Sequence, residues 1–174
     1  NSNRSLNTTI ESTSSDFLST GGFKTTRTGF GLGTGFQQYS DLYVNLDLST
    51  YYEKLETSSA ASTHKKKQEG DYLENLLTYG LTLNKLDQNF QPTDGFKIGF
   101  KQELPIYSDD LSIGNTLNLS KYHSLSDNLI ISGKFFFKSV NSIDDDVRVS
   151  RRVYIPSSKL RGFEAGKIGP KDGN

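Results

Sequence analysis

Apolar and polar residues alternate in this chain over stretches longer than an ordinary globular strand. Leu42, Val44, Leu46 and Leu48 interleave with Tyr43, Asn45, Asp47 and Ser49. Leu77, Tyr79, Leu81 and Leu83 interleave with Thr78, Gly80, Thr82 and Asn84, and Phe96, Ile98 and Phe100 with Lys97, Gly99 and Lys101. A period of two is that of an extended strand, whose side chains leave opposite faces in turn. Seven such segments are expected, over 5–14, 23–36, 42–52, 73–86, 96–106, 111–123 and 129–139. The better ones run about 10 to 12 residues, which suits a tilted transmembrane strand of about 9 to 11. Globular strands peak near about 5 or 6 residues.

Composition agrees with a wall that has one greasy face. Hydrophobic residues make up only 33%, yet Phe and Tyr number 11 and 9. A disordered chain would lack these aromatics, and a soluble core would want more aliphatic side chains. Lys plus Arg and Asp plus Glu balance at 20 each, so no net field draws nucleic acid. Without cysteine there is neither a disulfide framework nor a thiolate metal site. No apolar run reaches the roughly 18 residues of a helical span. The chain opens on Asn1 and stops within a loop, and an internal fragment is therefore expected.

Tight turns are expected at 39–41 and 124–127, a longer connection at 57–70, and a turn at 87–95. Strict up-and-down order puts 57–70 on the same side as the last loop and the tight turns opposite, as outer-membrane barrels arrange them. The expected fold is all-β: an antiparallel up-and-down transmembrane barrel, here a partial one of about seven strands, followed by an inserted loop over 140–174. Leu42, Val44, Leu46, Leu81, Phe100, Leu117 and Phe135 are expected to face lipid. Asn45, Asp47, Thr82, Lys101, Asn118 and Lys134 are expected to face the lumen.

Other signals are weaker. Gly29, Gly31, Gly33 and Gly35 recur at a spacing of two, which is no phosphate-binding loop and leaves room for something to pack on that face. Asp144-Asp145-Asp146 lacks the spacing of a calcium loop and reads as solvated. His64 and Lys65-Lys66-Lys67 are expected to face solvent. A hydrolase would need a nucleophile, a base and an orienting group. His64 and His123 are the only histidines; His64 falls in a loop and His123 shows no carboxylate partner in sequence, so no enzyme is expected.

Two motifs carry a resemblance. Asn84-Lys85-Leu86-Asp87 closes one strand, and the next begins after Pro92-Thr93-Asp94-Gly95, where Pro92 cannot donate to a ladder and Asp94-Gly95 supplies turn geometry. Near the end, Leu160-Arg161-Gly162-Phe163 is followed by Gly169-Pro170-Lys171. Together they resemble the BamA family of assembly factors, which fold and insert β-barrel proteins into the outer membrane of Gram-negative bacteria. The resemblance runs from about Tyr79 to the end; upstream it rests on strand pattern. It implies that the Arg161 loop turns back into the lumen, pairs with carboxylates on later strands and holds the barrel in its working form. It also implies a place in the bacterial outer membrane and, as partners, the lipid bilayer, nascent outer-membrane proteins and periplasmic lipoproteins, with no cofactor and no metal. A secretion or translocation transporter of the same superfamily, or a passive porin, is the alternative.

Overall fold

A computed structural model describes residues 4–19, 21–143, 146–154 and 162. Seven strands form one sheet in the order of the chain: β1 Arg4–Phe17, β2 Phe23–Tyr39, β3 Leu42–Thr57, β4 Gly70–Leu86, β5 Gly95–Pro105, β6 Ser112–Ser126 and β7 Leu129–Ser142. Every neighbouring pair is antiparallel. Among the described residues β1 and β7 do not pair, so the sheet is open: a partial barrel.

Most strands run beyond their alternating stretches. They are 11 to 17 residues long, because ladder pairing continues where alternation fades. Two turns shrink accordingly. Tyr39 pairs with Leu42 and leaves Ser40-Asp41 as the loop. Ser126 pairs with Leu129, so Ser124, Leu125 and Ser126 belong to β6 and the turn is Asp127-Asn128. A register irregularity lies beside each. Between β3 and β4 the chain makes a one-turn helix, α1 Thr63–Lys66, whose cap Ser62 accepts from the Lys65 amide.

Register sorts the side chains as the alternation requires. Val44 lies opposite Leu81, Leu81 opposite Phe100 and Phe100 opposite Leu117, making a continuous apolar face. It is open, with Leu48, Phe135 and Ile10 exposed by 51%, 54% and 82%. On the other face Asn45 meets Gly80, Lys101 meets Thr116, and Ser120 meets Lys134. Gly29 also lies on this polar face, and the Tyr51 ring occupies the space its Cβ would take. The small apolar core sits here too: Phe23, Leu55 and Val149, with Tyr72 packed against them. A sheet whose only buried cluster among the described residues lies on its polar face is inverted relative to a soluble sandwich.

Candidate functional site

Val149 belongs to the segment after β7, and that segment makes the site. Residues 146–154 lie on the polar face near the strand ends that carry the 58–69 connection. A turn holds the segment together, with the Arg151 and Arg152 amides both donating to the Arg148 carbonyl at 2.8 and 3.1 Å. Arg148 is 3% exposed. Its guanidinium pairs with Glu74 through Nη2 and approaches Glu53 at 3.4 Å and Asp110 at 3.6 Å through Nε. Ser150 accepts from Arg148 Nε at 3.0 Å and donates to Glu53 at 2.6 Å. The Tyr72 ring caps the guanidinium at 4.0 Å.

Arg151 points elsewhere, to Glu103 at 3.5 Å, Glu74 at 3.9 Å and the Ser112 hydroxyl at 3.4 Å. From the other side Arg27 donates to Glu74 at 3.1 Å while stacked 3.8 Å above the Tyr51 ring. Glu74 is 1% exposed and stands between three guanidinium groups. A buried carboxylate is tolerated when paired and hydrogen-bonded in this way. Burial lowers the Arg148 pKa from its usual value and Glu53 opposes that shift; a guanidinium stays charged throughout. The 58–69 connection closes the edge. Gln68 accepts from the Val149 amide at 2.8 Å, and His64 Nε2 lies 3.1 Å from Arg152 Nη2 and 3.4 Å from Asp146. A recess of about 360 Å³ remains between His64, Gln68, Tyr72, Asp110 and Arg148.

The arrangement grips; it has no nucleophile and base set for covalent work among the described residues. His64 is exposed, as expected, and its ring also touches the segment at Arg152 and Asp146 because its loop folds over it. His123, expected to lack a carboxylate, lies 3.4 Å from Asp94, brought there by the neighbouring turn. Ser124 beside it donates to the Ser126 carbonyl.

Of the two expected motifs, the 87–95 turn is fully placed. Asp87 accepts from the Thr93 amide at 3.1 Å and from its hydroxyl at 2.6 Å. That hydroxyl bond, first, holds the Asp87 carboxyl below its ordinary pKa. Asn84 accepts from the Leu86 amide and donates to Asn89. Asp94 accepts from the Gly95 amide at 2.6 Å, and Gly95 has φ +99° with the Lys85 carbonyl where a Cβ would go. Pro92 precedes Thr93 in the same turn. In the other motif Gly162 has φ +86°, a glycine conformation. Leu160, Arg161, Phe163, Gly169, Pro170 and Lys171 lie outside the described residues, as do Asp144 and Asp145.

Sequence reading missed Arg148, Arg151, Glu53 and Glu74. A signal was present: three of the chain's six arginines fall within five residues, at 148, 151 and 152. Their partners were hidden among the polar positions of β3 and β4.

An open meander with an apolar outer face and a charged seat on the inner one is part of a barrel wall. The chain belongs to the Omp85 superfamily, whose domain profile matches residues 1–174. It is similar to the outer membrane protein assembly factor BamA of Neorickettsia risticii (strain Illinois), at 25% identity over 151 residues, covering 80% of this chain and 20% of that protein. The chain thus spans about a fifth of the length of that curated relative.

Proposed function

We propose that residues 1–174 are part of the transmembrane wall of a bacterial outer-membrane assembly factor that folds and inserts other β-barrel proteins. The carrying observation is the segment after β7, packed on the polar face by buried ion pairs directly ahead of the Leu160-Arg161-Gly162-Phe163 motif. A passive pore would need no Leu160-Arg161-Gly162-Phe163 motif followed by Gly169-Pro170. The apolar face meets lipid and the polar face lines the lumen. The 87–95 turn and the two-residue turns then lie on the periplasmic side, with 58–69 and the final loop outside. Nascent barrel proteins are the clients, and periplasmic lipoproteins are partners by the same resemblance. No covalent chemistry is required: the wall holds strands while they pair.

Arg161→Ala in the full-length protein tests the assembly reading. The barrel still folds, because the strands carry the folding signal, while client barrel proteins in the outer membrane decline. Undiminished client levels, with the variant present at normal abundance, would remove the assembly reading.

A further inference from the structure

We infer that Arg148, with Ser150 and Arg151 beside it, is the positioning element that fixes the base of the inserted loop, using only carboxylates within residues 1–174. The inference rests on the polar face being the lumen of the proposed barrel. Four strands and a loop converge on the two arginines: Glu53 from β3, Glu74 from β4, Glu103 from β5, Ser112 from β6 and Asp110 from the β5–β6 connection.

Charge geometry does the positioning, because the segment brings little else. Val149 is its one buried apolar side chain, set against Leu55 and Phe23. An apolar contact alone is non-directional and would let the segment slide. A planar guanidinium between Glu74 on one edge and Glu53 with Ser150 on another has one position and one rotation. Arg151 reaches toward β5 and β6, so the two side chains fix the turn against rotation as well. The Gln68 side-chain Oε1, accepting from the Val149 amide, fixes its height.

A separation of roles follows. The base of the loop is held at 148–152 by this part of the wall, whatever the Arg161 tip contacts. Losing Arg161 leaves the base seated.

The experiment places Leu55→Cys and Val149→Cys in the full-length protein in its native membrane, with any cysteines outside residues 1–174 replaced by serine. These 174 residues contain no cysteine of their own. A short thiol-specific crosslinker then reads whether the base is seated, and protease cleavage C-terminal to Tyr154 reads the tip. In the Arg148→Ala background the crosslink yield should fall at least about fivefold as the seated population shifts. Arg148→Lys should retain part of it, since an ammonium keeps the charge and cannot fork. Arg161→Ala should leave the yield unchanged while cleavage of the tip rises.

An unchanged yield in Arg148→Ala, or an equal fall in Arg161→Ala, overturns the proposal. Should Arg148→Ala fail to accumulate, Glu53→Gln removes one charge at constant shape and must lower the yield, and an unchanged yield there overturns it too. Client levels are scored in parallel. A lost crosslink with normal clients keeps the anchor and removes the assembly function; an intact crosslink with reduced clients does the reverse.

Discussion

A carboxylate shut away from water must have its charge answered on the spot, and Glu74 shows how completely this can be done. Arg27, Arg148 and Arg151 surround it, so its loss would leave three guanidinium groups facing one another. Glu74→Ala should destabilise the folded barrel by about 3–5 kcal/mol, the usual cost of breaking a buried pair from one side. Chemical unfolding of the full-length protein in detergent measures it. Exposed pairs such as Lys54–Glu56 should cost little by comparison, being screened by solvent. Asp87 makes a pH-dependent prediction. Its folded pKa is lowered below the ordinary 3.8, chiefly by the Thr93 hydroxyl. Its contribution is therefore complete above that value and is lost as pH falls through the folded pKa. Proteolysis of the 87–95 turn should accordingly increase only in acid below about pH 4, and Thr93→Val should weaken that dependence, since the backbone amides that also hold Asp87 remain. Gly95→Ala should cost about 1–3 kcal/mol, because its φ suits glycine and the Lys85 carbonyl fills the space.

Strands obey a different economy, in which the face decides. An arginine at Leu46 places a charge on the open apolar face, whereas one at Asn45 joins Gly80, Asp47 and Tyr43 on the polar one. The first should cost about 2–4 kcal/mol near mid-membrane and the second much less. Unfolding of both variants in lipid vesicles checks this, and equal costs would mean that the faces are misassigned. The strand ends beyond the alternating stretches matter as much as their middles. Glu53 and Leu55 on β3, and Tyr72 on β4, lie in those extensions and furnish most of the seat for residues 146–154. The alternation marked 42–52 as a strand because aliphatic residues thin out after Leu48. Pairing of Leu55 with Gly70 carries the ladder past that point.

The whole molecule is a sheet with two free edges and one apolar face among the described residues. Unpaired β1 and β7 edges beside an exposed apolar band are an aggregation template. Residues 1–174 expressed alone should precipitate from plain buffer and stay dispersed in detergent, as sedimentation would show. A soluble, cooperatively folding monomer without detergent would contradict the barrel-wall reading.

Periodicity by itself determined the strands, their number, their up-and-down order and the two faces, because alternation is local and a residue's face follows from its parity. The turn at 87–95 was legible for the same reason: Asp87, Thr93 and Gly95 act within nine residues of one another. Parity says which face a side chain leaves and nothing about what comes to meet it. Arg148 and Glu74 are 74 residues apart, and Ser150 and Glu53 are 97 apart. No local rule links them. They meet because the chain after β7 turns back over the sheet, and because register places Glu53 on β3 beside Tyr72 on β4, with Glu74 two residues further on. A buried charge takes its partner from geometry in three dimensions, so only the tertiary structure decided which arginines hold the loop.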